Sequence, residues 1–416
     1  MDKQTIQPKQ ELPPPASMPV HSHKSIIAIV AIILIIIIGL GGFVITKVNH
    51  KNGSLFGDHS MQNQDGQGGT LAGWKNQCSG TGTVQMKNSP MNLSDVSIID
   101  PIGLLAGAHV TPIDHLYFYP KDMQHRDAAP VFAIADGYIV DYENRGQQLH
   151  DGKADTGALR IVIQYSCSFY SYFDLLTSLN PAIAQKLESG DHHVAVKAGQ
   201  EIGRVGAQSL DTAIYNLDLT LPGFVKPNSY VGEAWKIHTD DFFKYFDEPV
   251  RGQMLALNPR KVQPYGGKID YDIAGKLQGN WFQEGTNGYA GPANIDRNQP
   301  IGDVGYFSGH LSIAPDAVKV QQYNISFGSY QGKPMQFTAI PGSLDPATVG
   351  VSSGAVKYEM TKYSQPSLQS SSLDQTIRGT GLFQVLENDT LKMEAFPGMT
   401  ADLVKGFDGG EKTYTR

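Results

Sequence analysis

The sequence predicts a mainly β chain hung from one N-terminal transmembrane helix. A barrel-like β-sandwich comes first, and a second all-β domain follows, either a sandwich or a small barrel. Three observations predict this. One apolar run near the N-terminus has the length of a membrane span. Glycine (45) and proline (24) are frequent enough to punctuate many short strands. Between those turn residues, apolar and polar positions alternate with the period of a strand.

The span runs over residues 25–46. Ser25 to Thr46 carry no charge, and Ile26 to Ile38 are almost entirely Ile, Ala, Val and Leu. A helix needs roughly 20 apolar residues to cross the hydrocarbon core. A cleavable signal peptide has a shorter core and a small-x-small cleavage site, which Gly41-Gly42-Phe43-Val44 does not supply. Lys3, Lys9 and Lys24 precede the span, and Lys47 and Lys51 follow it, which biases the N-terminus toward the cytoplasm. Residues 1–24, with Pro13-Pro14-Pro15, read as a disordered cytoplasmic tail. Residues 47–76, with Asp65-Gly66-Gln67-Gly68-Gly69, read as a flexible stalk. The soluble part is therefore expected outside the cytoplasm. Cys78 and Cys167 suit one disulfide in an oxidising space, and the alternative is a buried Cys167 thiol with Cys78 free. Sequons at Asn52, Asn92, Asn324 and Asn388 all follow the span but arise often by chance.

Lys plus Arg is 33 against 40 for Asp plus Glu, a net charge of -7, and no basic cluster tracks a phosphate backbone. That excludes nucleic acid as the main partner.

The first folded region spans 77–222. Pro130 to Val140 reads as two strands around a turn at Asp136-Gly137. Leu159 to Tyr165 and Phe169 to Leu176 continue the sheet, Val194 to Gly206 alternates apolar residues with turn glycines, and Ile214 to Leu221 closes the series. Ile183 to Leu187 is the one short helix expected there. Residues 223–274 form a partly helical connector, with a helix over Asp240 to Phe246 that Pro249 breaks or kinks. In 275–416, Tyr323 to Phe327 and Leu391 to Phe396 alternate strictly.

The phrases of the first region carry a resemblance. They are His109-Val110-Thr111-Pro112-Ile113-Asp114, then Pro130-Val131 with Ala135-Asp136-Gly137-Tyr138-Ile139-Val140, then Tyr172-Phe173-Asp174-Leu175. Val196-Lys197-Ala198-Gly199-Gln200-Glu201-Ile202-Gly203-Arg204-Val205-Gly206 and Asn216-Leu217-Asp218 follow. In content and order this resembles the lysostaphin-type zinc metallopeptidases, which cut peptidoglycan cross-links, over about a third of the chain. The resemblance implies a zinc site of one His and one Asp from the first phrase and a His from the last, with catalytic histidines between. Here His109 and Asp114 stand at the first two positions, one residue further apart than usual. Asp218 stands at the third, and Asp174 and Asn216 stand where histidines would act. Neither shuttles a proton near neutral pH as histidine does. The reading is a degenerate, non-catalytic domain without a cofactor. An alternative groups Asp114, His115, Asp174 and Asp218 as a carboxylate-rich site for calcium or manganese; the plainer one leaves them solvated along an old groove. His192-His193 reads as a surface turn.

In the last region, Gly279-Asn280-Trp281 looks like the Gly-x-Trp phrase that opens lipocalin-type barrels. Trp281 reads as a core plug. Tyr289, Tyr306, Phe307 and Tyr330 line either a binding face or the core. The function expected is binding of an envelope polymer, or regulation of a partner hydrolase, through a groove containing His115, Asp174, Asn216 and Asp218. The runner-up is an active metal-dependent wall endopeptidase with an altered site holding zinc or another divalent cation. A purely structural spacer is a third reading.

Overall fold

The computed structural model describes residues 71, 74, 75, 77–144, 159–293, 305–363 and 375–416. The predicted tail, the span over 25–46 and most of the stalk lie outside the described residues. Among the described residues, no helix is long and apolar enough to cross a membrane.

The first folded region makes two antiparallel sheets. The larger holds β1 (Val96–Asp100), β2 (Leu116–Pro120), β4 (Gly137–Asn144), β5 (Leu159–Ser166), β6 (Phe169–Leu176), β8 (Val194–Val196) and β10 (Leu210–Asn216). Their order is β1-β2-β10-β6-β5-β4-β8. The smaller holds β3 (Ala129–Phe132), β7 (Ser178–Leu179) and β9 (Glu201–Val205), in the order β3-β9-β7. The strands read around Asp136-Gly137 are present as β3 and β4, but they lie in different sheets, so this turn is a crossover and not a hairpin. Asp136 accepts from the Ala198 amide and the Lys197 ammonium, both at 2.8 Å, and so ties the two glycine-bearing phrases together. A Cβ at Gly137 would stand 2.7 Å from the Gln164 carbonyl oxygen, so only glycine lets β4 approach β5 there.

Alternation sorts the side chains. Ile161, Ile163, Phe169, Phe173, Leu210 and Ile214 point inward and pack with Val131, Ile202 and Val205 of the small sheet. The closing strand begins at Leu210, four residues before the expected start at Ile214, because Leu210 and Ile214 both fill this core. The expected short helix is α1 (Pro181–Glu188), capped by Asn180, which accepts from the Ala182 amide at 3.0 Å; it buries Ile183 and Leu187.

The connector holds 3-10 segments over Pro227–His238 and Phe242–Tyr245, then α2 (Val250–Leu257) after the cis Glu248–Pro249 bond. The helix expected over Asp240 to Phe246 shrinks to the second 3-10 turn. Phe242, Phe243, Tyr245 and Phe246 are all buried there, which leaves no polar face for a surface helix.

Of the two architectures expected for the last region, the chain forms the barrel. β11 (Gly279–Gln283), β12 (His310–Pro315), β13 (Tyr323–Tyr330), β14 (Lys333–Ala339), β15 (Ala355–Lys362), β16 (Gly379–Leu386), β17 (Thr390–Pro397) and β18 (Lys412–Thr415) pair in chain order. Phe282↔Thr415 and Gln283↔Tyr414 close the ring. In β15, buried Val356, Tyr358 and Met360 alternate with exposed Ala355 and Lys357. Trp281, Ile313, Phe327, Tyr330, Phe337 and Phe383 help fill the barrel, so Trp281 and Tyr330 are core residues. Phe282 and Tyr289 instead join the sandwich core beside Phe224 and Tyr230 of the connector. Sandwich, connector and barrel belong to one compact unit.

Candidate functional site

The outward face of the large sheet carries the groups that the resemblance singles out. Strand alternation sets Arg160 and Val162 on β5, Tyr172 and Asp174 on β6, and Asp211, Ala213 and Tyr215 on β10 along that face. Asp211 is the register partner of Asp174 across β10 and β6, and of Tyr117 across β10 and β2. Asp114 and His115 sit just before β2 and complete the cluster.

Each carboxylate there lies against a basic side chain of the same chain, and His115 serves two of them. Asp114 Oδ1 lies 3.6 Å from Lys236 Nζ and 3.2 Å from His115 Nδ1, and the Tyr215 hydroxyl donates to Oδ2 at 3.2 Å. Asp174 accepts from Arg160 Nη2 at 3.0 Å, Arg160 Nε at 3.2 Å and the Tyr172 hydroxyl at 2.7 Å. Asp211 Oδ2 lies 3.4 Å from His115 Nε2, and its Oδ1 accepts from the Ser209 hydroxyl at 3.0 Å. Burial alone would raise the Asp114 pKa. Lys236 and the hydrogen-bonded His115 outweigh it and hold the carboxyl well below its ordinary value. Burial would likewise discharge His115, but the hydrogen bond to Asp114 and the charge of Asp211 raise its pKa instead.

The face is covered. Trp74 stacks on Tyr215 and Trp235, with ring centroids 6.0 and 5.8 Å apart, and its indole donates to Asp141 at 2.8 Å. The 3-10 segment Pro227–His238 lies over the sheet and sends Lys236 inward, where it is 1% exposed. Tyr289, on the 3-10 turn Gly288–Ala290, closes the far side, its ring centroid 5.1 Å from Lys236 Nζ. Glu233 is on the same segment as Lys236; burial pushes its pKa up against the pull of Lys236. Asp114, His115, Asp174 and Asp211 are all buried.

Of the other expected residues, His109 borders the cluster and the rest have different partners. The His109 ring stands edge-on to His115, with centroids 5.6 Å apart. Asn216 and Asp218 make their hydrogen bonds with other residues than Asp114 and Asp174. Asn216 lies five residues beyond Asp211 on β10, and strand alternation turns it to the face of Leu210 and Ile214, away from Asp211 and Tyr215. There Asn216 donates to the Tyr245 hydroxyl at 3.3 Å, and exposed Asp218 accepts from the Ser168 hydroxyl at 2.6 Å. Next to Ser168, Cys167 forms the expected disulfide with Cys78. His193 stacks on Tyr138 at 4.0 Å in a turn held by Asp191. Tyr306 and Phe307 pack at the junction with Tyr289 and His310.

Among the described residues, no three His, Cys, Asp or Glu side chains are grouped to hold a metal ion. At Asp114, where a metal would need an open position, the neighbouring cation is an ammonium. Sequence reasoning missed Asp211, Arg160 and Lys236. The first was legible in the alternation of Leu210-Asp211-Thr212-Ala213-Ile214. Lys236, between Trp235 and Ile237 in a connector, gave no signal beyond its apolar neighbours.

No protein-family model matches the chain, and no curated protein matches it. Among solved structures the chain is similar to Csd3 of Helicobacter pylori, at 15% identity over 32% of this chain and 32% of that one, with a TM-score of 0.22. It is similar to a zinc-containing peptidase from Vibrio cholerae, at 16% identity over 32% of this chain and 37% of that one, with a TM-score of 0.23. It is also similar to lysostaphin, at 14% identity over 62% of this chain and 95% of that one, with a TM-score of 0.24. The chain thus spans about a third of the first two structures' length. Likenesses this distant assign no residue a role.

Proposed function

We propose that the chain is a membrane-anchored cell-envelope protein whose peptidase-like sandwich is non-catalytic, and which binds an envelope polymer or restrains a partner hydrolase. The observation that carries this reading is that the three groove carboxylates are met by side chains of the same chain: Asp174 by Arg160, Asp114 by Lys236, and Asp114 and Asp211 together by His115 between them. A hydrolytic metal centre needs an open coordination position and a proton carrier with a pKa near the working pH. Here Lys236 takes the place beside Asp114, and Asp174 is committed to an arginine. While the segment 227–238 covers it, the groove also fastens connector and barrel to the sandwich.

The test is metal analysis and wall hydrolysis with the full-length protein in detergent. The expected result is less than one-tenth of a zinc per chain and no solubilisation of peptidoglycan beyond the buffer rate. One zinc per chain, with cleavage lost in Asp114→Ala, would establish the active endopeptidase instead.

A further inference from the structure

Burying a lysine is costly unless its charge is met. Lys236 is met on two sides by different chemistry. The Asp114 carboxylate lies 3.6 Å from Nζ, and the face of Tyr289 lies across from it with its centroid at 5.1 Å. Glu233, carried on the same segment, adds a second carboxyl group that interacts with both Tyr289 and Lys236. Carboxylate and aromatic face together are the surroundings that suit an organic cation. A divalent metal would need three donors at about 2 Å, and an aromatic ring offers none. Asp174 is held by Arg160, while Asp114 and Asp211 share His115, at 3.2 and 3.4 Å, and Lys236 is the second cation at Asp114. The strap that delivers Lys236 is a 3-10 segment interrupted by non-helical backbone at Tyr230 and Glu233, a form with few hydrogen bonds to hold it by itself.

We propose that Asp114, Glu233 and Tyr289 form a primary-ammonium site, which the chain fills with its own Lys236 and which accepts the ammonium of an incoming lysine-bearing peptide when the strap lifts. This extends the non-catalytic reading by naming the chemistry the groove recognises. The carboxylate supplies the opposite charge and accepts N–H bonds, and the tyrosine face excludes water. A peptide binding in this way releases the strap, so occupancy of the groove is coupled to exposure of residues 227–238.

Full-length Lys236→Ala tests the site. Its melting temperature should fall by several degrees, and ethylammonium chloride at tens of millimolar should recover at least half of the loss. Tetramethylammonium chloride, with the same charge and no N–H donor, should recover none. Equal recovery by both salts, or none by either, overturns the proposal, as does stoichiometric zinc uptake by the variant. Should the variant not fold, hydrogen exchange of the wild-type protein decides. A lysine-bearing tripeptide should speed amide exchange across 227–238, and its norleucine counterpart should not. Equal exchange with the two peptides overturns the proposal. Wall hydrolysis by the wild type would overturn the non-catalytic reading while leaving the ammonium test to stand or fall separately.

Discussion

Asp211 and Asp174 face each other in register across β10 and β6, yet each answers to a different cation. Two carboxylates side by side would ordinarily push one pKa up and share a proton. Here Arg160 bonds Asp174 through two nitrogens, and His115 stands against Asp211. The first prediction follows from that division. Arg160→Met strands a carboxylate that is 1% exposed. Removing one partner of a buried pair costs about 3–5 kcal/mol. The Arg160 side chain is 25% exposed, so water relieves part of the loss, and about 3 kcal/mol is expected. Urea denaturation measures it. Arg160→Met with Asp174→Leu should recover more than half of the loss; no recovery would mean that Arg160 acts by packing on Tyr172 alone.

The second prediction concerns Cys78 and Cys167, which are 89 residues apart and join the start of the sandwich to the β5–β6 turn. Closing a loop of that length stabilises by about 4.6 kcal/mol in the chain-entropy estimate. The bond also anchors the segment behind Trp74, whose ring lies on the groove face. Replacing both cysteines with serine should lower stability by up to that amount and speed proteolysis near Trp74. A non-reduced digest of protein taken from the envelope should contain the linked peptide. Protease added to intact cells should remove the soluble part, and cleavage only after permeabilisation would reverse the predicted orientation.

Local signals were readable where they decide local structure. Strand positions follow from alternation, and Asn180 before Pro181 marks the start of a helix. Trp281 was legible as a core plug because a tryptophan between Asn280 and Phe282 at a strand start has an inside to fill. What escaped was set by tertiary contact. Lys236 is buried by Tyr289, more than fifty residues away, and no spacing rule connects them. Asp211 escaped for a different reason. The aligned phrase Asn216-Leu217-Asp218 drew attention to the wrong end of β10, and only the register with β6 shows which residue stands opposite Asp174.

The third prediction is a pair of opposite titrations. His115 faces Asp114, Asp211 and Lys236; burial lowers its pKa, but the two carboxylates bring it above the ordinary 6.5. His238 faces Lys75 and the Leu219 carbonyl; burial dominates and brings its pKa below 6.5. Linkage fixes the signs. The contribution of His115 is complete below about 6.5 and is lost as pH rises through its raised pKa. His238 favours the neutral form, so it costs nothing above about 6.5 and destabilises as pH falls toward its lowered pKa. Ring-labelled NMR, assigned with His115→Gln and His238→Gln, should show His115 still protonated at a pH where His238 is neutral. His115→Gln should also flatten the fall in melting temperature on the alkaline side, and an unchanged slope would remove His115 as its source.

The last prediction concerns the barrel seam, where Arg416 lies across Trp281 with its guanidinium carbon 4.1 Å from the ring centroid. The Arg416 side chain is 1% exposed, and its contacts divide among three partners. Nη1 is 3.2 Å from Asp272 Oδ1, and Nη2 donates to the Lys276 carbonyl at 2.5 Å and the Gln278 carbonyl at 2.7 Å. The guanidinium therefore joins the end of the connector to the first and last barrel strands. Burial pushes the Asp272 pKa up, and Arg416 is the charge that pulls it back. Arg416→Met keeps the stem over Trp281 but leaves a buried carboxylate unmatched, a loss of about 3–5 kcal/mol. Arg416→Lys restores the charge as a point, without the planar fork that reaches Asp272 and the carbonyls together, and should recover less than half. Gly279 gives an independent check. It has a φ of +128°, and a Cβ there would stand 2.4 Å from Arg416 Nη1 and 2.5 Å from Asp272 Oδ1. Gly279→Ala should therefore disturb the same cluster without removing a charge. Urea midpoints of the three variants should rank Arg416→Lys above Arg416→Met, with Gly279→Ala clearly below wild type. A Gly279→Ala midpoint equal to wild type, or equal midpoints for the two arginine variants, would mean that Arg416 serves only to pack over Trp281.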